Sequence, residues 1–443
     1  MSRTTAVRSL AALAVDRRPL AVPAFRRLWV ASVVSAVGGS FSVVAVPAQV
    51  FAIGRSSAAV GAAGAVSFVA LVVGALWSGA VADVRDRRGV LLVANCGLAA
   101  TYAALGAYAL VGGGLIAVLM VLVGCQGLAF GAIMTTMGAA VPRLVPVELL
   151  PAANSLTSLV RYAGAVLGPL LAGLLMPLTG LGALYLCDAV ALLAVVRAVA
   201  RLPPLRPRAP GPYDRVGSRA PHGLVPHIPP GLAPPAPLGI LRQVTTGFRY
   251  LAASRLLLAV LGVDLAAMVF GMPVALFPEL ARDVYGGPDG GGPALGLLFA
   301  AYPVGVCCVA LLSGAFTRAE RHGTVMAAAA IAWGGTVVFL GLAAELWLAL
   351  IALVLGGAVN FLLSTFRNAI TQAHTDDALR GRVQGALTVV LIGGPQVANF
   401  VHGAAGALIG PRLAVCGGGL LTMVTVAAIA RAVPELRCYR ATG

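Results

Sequence analysis

Three charges stand inside otherwise apolar stretches of the chain: Arg161, Asp188 and Asp264. A charge at mid-membrane depth costs about 2.5–3.5 kcal/mol on insertion scales, so each needs a task. One such task is reversible protonation, because a carboxylate surrounded by low dielectric holds a proton more tightly than one in water. Counting ~1.5 Å of rise per residue from the nearer ends of their apolar runs puts Arg161 and Asp264 each about 13 Å deep. Equal depth permits pairing. Two readings of Asp264 stay open: a proton carrier, with Arg161 and Asp188 as further coupling candidates, or a permanent partner of Arg161 that never titrates.

Uncharged polar residues in the apolar runs form a second group, Gln126, Asn360, Gln396, Asn399 and His402. Each could hydrogen-bond a substrate or simply a neighbouring helix. His402 has the side chain suited to titration near neutral pH, although a lone histidine is often satisfied by a neighbour. The seven cysteines contain no C-x-x-C pair and no cysteine–histidine cluster at ligand spacing, so no metal is expected. They read as small hydrophobes in helix packing. All 31 basic residues are arginine, which excludes a Gly-Lys-Ser/Thr phosphate loop. Neither H-E-x-x-H nor G-x-S-x-G occurs, so an enzyme is not expected. No cofactor is called for beyond a proton gradient.

The elements that hold these residues follow from composition. With 59% hydrophobic and 10% charged residues over 443 positions, the chain is far from the ~25% charged content of soluble proteins. It belongs in a bilayer as an all-α protein. The net charge of +16 sits in loops between apolar runs, which points to anionic lipid headgroups and away from nucleic acid. Runs long enough to cross ~30 Å of hydrocarbon fall at 28–53, 58–82, 90–111, 115–139, 152–176 and 181–200, then at 256–279, 293–316, 324–344, 346–366, 384–409 and 412–432. Pro47 is expected to kink the first. Tails and alternate loops on one side hold every arginine except Arg55, Arg282, Arg412 and the intramembrane Arg161. That side is the cytoplasm by the positive-inside rule, so both termini are expected there and no cleavable signal peptide is evident.

The domain plan is a cytoplasmic tail at 1–27, six spans at 28–200, a linker at 201–254, six more spans at 255–433 and a short tail at 434–443. Twelve prolines between Pro203 and Pro237 make the linker unable to pack a core. Ile240, Leu241, Val244, Phe248 and Leu251 share one helical face, as in a helix lying on the membrane surface or an extension of the next span.

Between the second and third spans the chain reads SGAVADVRDRRG, from Ser78 to Gly89, a water-facing turn crowded with charge. A related string, SGAFTRAERHG at Ser313–Gly323, recurs a little over half a chain later, as expected of two homologous halves. The pattern Gly79, Asp83, Arg87, Arg88 resembles the second-to-third-helix loop of major facilitator superfamily transporters. Val84 and Asp86 depart from the usual residues there. Further stretches, FRRLW at Phe25–Trp29, VPRLVPVELLPAANSL at Val141–Leu156, GMPVALFPELARDVYG at Gly271–Gly286 and DDALRGRV at Asp376–Val383, resemble the enterobactin-exporter-like, drug:proton antiporter branch.

That resemblance implies two pseudo-symmetric six-helix bundles around a central cavity, usually in a monomer. It implies that Gly79, Asp83, Arg87 and Arg88 gate, with Asp83 capping a helix N-terminus and joining arginines across the halves. Gly164, Gly168, Pro169 and Gly173 match the fifth-helix signature of proton-coupled exporters, although tight helix packing alone would also explain them. In this fold the seventh helix lines the cavity and the sixth lies outside it, which favours Asp264 as carrier and makes Asp188 structural. Gln126 and Asn360 fall on cavity-lining helices. Where many relatives have Gly-Asp in the first span, this chain has Gly38-Gly39, so a carboxylate is missing there. The expected activity is export of a small amphiphilic metabolite, siderophore or antibiotic-like, by alternating access with proton antiport. The alternatives are an uptake or facilitated-diffusion permease of the same fold and, from another class, a non-transporting receptor or intramembrane enzyme.

Overall fold

The computed structural model describes residues 17–38, 40–204, 248–288, 291–311, 321–375 and 380–439. Most of the N-terminal tail, the proline-rich linker with its surface helix, most of the second charged turn at Ser313–Gly323 and the start of the Asp376–Val383 stretch lie outside the described residues. Among the described residues there is no strand.

The helices are α1 (Pro23–Gly38), α2 (Ser42–Gly54), α3 (Ser57–Val84), α4 (Arg87–Leu110), α5 (Ile116–Leu144) and α6 (Leu150–Ala200). The second half has α7 (Arg255–Gly271), α8 (Pro293–Leu311), α9 (His322–Leu342), α10 (Leu346–Ala373), α11 (Arg380–Ile409), α12 (Pro411–Ala432) and the short α13 (Pro434–Cys438). Their starts are legible in polar residues that accept from otherwise unsatisfied amides. Ser56 accepts from Ala58 N, Asp86 from Arg88 N and Ser254 from Leu257 N.

Nine helices among the described residues are long and apolar enough to cross a membrane. One of them, within α6, is 49 residues long and makes two crossings, because Gly180 (φ 75, ψ 168) turns the chain in mid-helix. With the broken first crossing, α1 and α2, and with α11, the described residues make twelve transmembrane crossings.

The first crossing departs from expectation. The first helix ends at Gly38 and the next begins at Ser42, upstream of Pro47, which lies inside the continuous helix α2. Two adjacent glycines and Ser40 weaken the helix there, and Ser40 Oγ donates back to Ala36 O at 3.0 Å. The seventh crossing also ends irregularly. After α7 it passes through 3-10 turns at Val274–Leu276 and a π-helical turn at Leu280–Val284, following Pro273 and around Pro278.

Each half is built on the same pairs. α3 packs on α5 in the first half and α8 on α10 in the second, both at glycines. A Cβ on Gly127 would collide with Ser67 O, and one on Gly357 with Tyr302 O. The turn at Gly180 has its counterpart at Gly410 (φ 84, ψ 155), each linking the last two crossings of its half through a single glycine at positive φ. Corresponding pairs and corresponding turns express the pseudo-twofold relation of the two bundles.

The halves meet where α3 lies on α11 and α6 on α8. A Cβ on Gly61 would fall 2.6 Å from Asn399 O, and one on Gly173 would fall 2.7 Å from Gly296 Cα. Ser57 Oγ donates to Glu279 Oε2, and the Arg282 guanidinium stands over the Phe51 ring, 4.7 Å from its centroid. These contacts belong to the end of the bundle remote from the termini. At that end the two halves are sealed.

Candidate transport site

Beneath this seal lies a cavity of about 260 Å³ whose lining includes Ser42, Val46, Gln126, Phe299, Gln396 and Asn399. It draws on α2, α3, α5, α8, α11 and the turns after α7, so both halves form its wall. Among the described residues no charged side chain lines it. Three of the four amides singled out in the sequence, Gln126, Gln396 and Asn399, meet there. Asn399 Oδ1 is buried and accepts no hydrogen bond. Such an atom carries a desolvation cost of about 1–3 kcal/mol that a donor on a guest would relieve. The fourth amide is engaged elsewhere: Asn360 Oδ1 accepts from the Tyr302 hydroxyl at 2.9 Å. His402 is satisfied by Phe270 O at 3.0 Å.

The carboxylates take separate places. Asp264, on α7, is 2% exposed and paired with Arg367 on α10, whose Nη1 donates to Oδ1 at 2.8 Å. The expected partner, Arg161, is exposed instead and stands 5.2 Å from the ring centroid of its neighbour Tyr162. The tenth apolar run ends at residue 366, which by sequence places Arg367 in a loop. α10 continues to Ala373 and carries Arg367 into the bundle. The signal was present in the helical run that continues past Phe366 without a glycine or proline. Asp264 Oδ2 is buried with no hydrogen-bond partner.

Asp188 is wholly buried and serves the break in the first crossing. Its Oδ1 accepts from Phe41 N at 3.1 Å and its Oδ2 from Ser42 N at 2.7 Å. These are the unsatisfied amides that open α2, and an anion there also meets the positive end of the helix dipole. The first span lacks a carboxylate of its own at Gly38-Gly39, yet one stands beside the break, brought by the sixth crossing. Nearby, Tyr185 donates to Gln49 Oε1 at 2.9 Å. A second cavity of about 260 Å³, lined by Asp188, Tyr102, Asn95 and Ser35, lies on the termini side of the break. Ser42 and Gln126 thus line the central cavity, and Tyr102 and Asp188 line the other.

The fifth-helix glycines are contact points. Gly164 faces Ala36 and Gly168 faces Ser40, so this arm of α6 lies directly on the broken crossing. Pro169 O and Gly173 abut Gly296 of the opposite half. In the charged turn, Gly79 is buried in α3, and the Asp83 side chain lies outside the described residues. The residue that caps the next helix is Asp86, Oδ1 accepting from Arg88 N at 3.0 Å. Arg87 Nε donates to Ala82 O at 3.4 Å and Arg88 Nη2 donates to Ala200 O, tying the turn to the end of the sixth crossing.

Twelve crossings in two related bundles, with a polar cavity between them, define a secondary transporter. The family model of the Major Facilitator Superfamily matches residues 28–395, and the chain belongs to that superfamily. Among curated relatives it is similar to the protein named enterobactin exporter EntS of Shigella flexneri, 28% identical over 424 residues, 95% of this chain and 94% of the relative. The protein of the same name from Escherichia coli O81 (strain ED1a) is 29% identical over 425 residues, with the same coverage. Among solved structures, the fold is similar to the nucleoside transporter NupG (TM-score 0.67, 14% identity, 92% of this chain and 98% of that one). It is also similar to a bacterial homologue of the iron transporter ferroportin (TM-score 0.64, 15% identity, 94% and 99%).

Proposed function

We propose that this transporter exports a small amphiphilic metabolite, siderophore- or antibiotic-like, from the cytoplasm, exchanging it for protons. The observation that carries the substrate class is the charge-free cavity shared by both halves, with amides at Gln126, Gln396 and Asn399 set among apolar side chains. Such a wall suits a guest with several hydrogen-bonding atoms on an apolar frame, and the orphan Asn399 Oδ1 calls for a hydroxyl or N–H. The enterobactin-exporter relatives, matched along nearly the full length of both chains, support the direction and the siderophore-like guest. A cavity of about 260 Å³ is below the ~300–1,000 Å³ of sites for drug-sized ligands, so loading requires the halves to part.

In this reading bundles 28–200 and 255–433 rock about the cavity while the linker at 201–254 follows. The arginine-rich loops and both termini face the cytoplasm. Asp264 takes the exchanged proton: its second oxygen is unclaimed, and protonation would release Arg367 from the pair. Asp188 holds the break in the first crossing. The reading is tested with a labelled catecholate siderophore in vesicles under an imposed proton gradient. Export predicts gradient-dependent accumulation in inside-out vesicles. Accumulation only in right-side-out vesicles would instead establish uptake, and binding without flux would establish a receptor.

A further inference from the structure

Away from the cavity, the first and sixth crossings leave a groove of about 350 Å³ between α1 and the last turns of α6. Four arginines surround it: Arg26 and Arg27 from the first turn of α1, and Arg197 and Arg201 one turn apart on α6. All four are exposed, and among the described residues no acidic side chain lines the groove. Its floor is apolar, with Val30 and Val34 half exposed along the helix that points into the membrane.

This arrangement is unfavourable as it stands. Like charges at i and i+4 repel, and cations in the first turn of a helix oppose its dipole. An anion set among the four guanidiniums relieves both effects. In a protein that spans a bilayer, that anion and an apolar occupant for the groove are present in one molecule. We propose that the groove binds an anionic phospholipid, its phosphates held by the arginines and an acyl chain laid along Val30 and Val34. The arginines form two pairs on two helices, and guanidinium forks match phosphate oxygens bidentately. Two pairs favour a headgroup with two phosphates, as in cardiolipin. The site adjoins the charged turn, because Arg88 donates to Ala200 O between Arg197 and Arg201. A lipid seated there braces the chain end to which that turn is tied.

Native mass spectrometry of the full-length protein in detergent tests the site, with cardiolipin, phosphatidylethanolamine and inorganic pyrophosphate titrated separately and in competition. The expected result is one retained cardiolipin, favoured over phosphatidylethanolamine by about tenfold or more. Arg27→Gln/Arg197→Gln should lower that retention by about tenfold or more, while Arg431→Gln, in the last turn of α12, should leave it unchanged. Val34→Trp keeps every arginine but fills the groove, and it too should reduce retention. Helical content and size-exclusion profile confirm that the variants are folded, and Val34→Trp decides the matter should the charge variant misfold. Equal retention by parent and variants, or equal binding of phosphatidylethanolamine, overturns the proposal. Displacement of cardiolipin by pyrophosphate with no effect of Val34→Trp overturns it in favour of a soluble anion.

Discussion

Arg367 and Asp264 face each other across α10 and α7 at 2.8 Å, both almost wholly buried, and the bond engages only one carboxylate oxygen. A pair that served packing alone would gain by engaging both. The free oxygen would suit a protonatable brace: proton uptake there would weaken the one bond the carboxylate makes among the described residues.

Replacing one member should therefore do two separable things. Asp264→Asn is expected to stop substrate-driven proton movement in proteoliposomes, read with a pH-sensitive dye, and to leave Arg367 as an unpaired buried cation at a cost of about 3–5 kcal/mol. Asp264→Asn/Arg367→Gln should recover most of the melting temperature without recovering proton movement. A stable double variant that still moves protons would show the pair to be a brace only.

Asp188 has a different signature. Its carboxylate closes the amides of Phe41 and Ser42, so Asp188→Ala exposes two donors within the bundle and should destabilise by about 1–3 kcal/mol for each. Asp188→Asn keeps an acceptor and should lose about half as much. Thermal unfolding in detergent measures both, and a melting temperature unchanged in Asp188→Ala would contradict the capping role.

The amide lining predicts a binding effect. Asn399→Ala removes the unclaimed acceptor, so a guest that donates to it should lose about tenfold in affinity, roughly 1.4 kcal/mol. A guest lacking hydroxyl and N–H groups should bind the variant as well as the parent. Isothermal titration with the two guests reads the difference.

At the seal, Gly173→Val should push α6 from α8, because even a Cβ there falls 2.7 Å from Gly296 Cα. Transport in vesicles is expected to fall by an order of magnitude or more while helical content is retained. The reverse change at Gly180 has another cause, backbone φ of 75°, and Gly180→Ala should cost about 1–2 kcal/mol of stability.

Much of this architecture could be read from the chain. The charge-free runs gave the crossings because hydrocarbon tolerates no alternative to satisfied helices. The amides Gln126, Gln396 and Asn399 could be picked out as polar residues in apolar surroundings, and the structure gathers them at one cavity. Partnerships were harder. The apolar run ends before Arg367, which by sequence places it in a loop, whereas the helix continues to Ala373. Gly38-Gly39 read as the loss of a carboxylate, since nothing local reveals that Asp188, about 150 positions on, stands beside the break. Asp86 as the cap of α4 is visible in the sequence as a polar residue ahead of a helix, while the expectation for Asp83 falls on a side chain outside the described residues.

The single-glycine turns at 180 and 410 leave no spare chain at two corresponding places on one face of the membrane. An epitope tag threaded into either would have to pry two crossings apart. The connection between Leu110 and Ile116 is longer, so a reporter meant to mark that face without jamming the molecule belongs there.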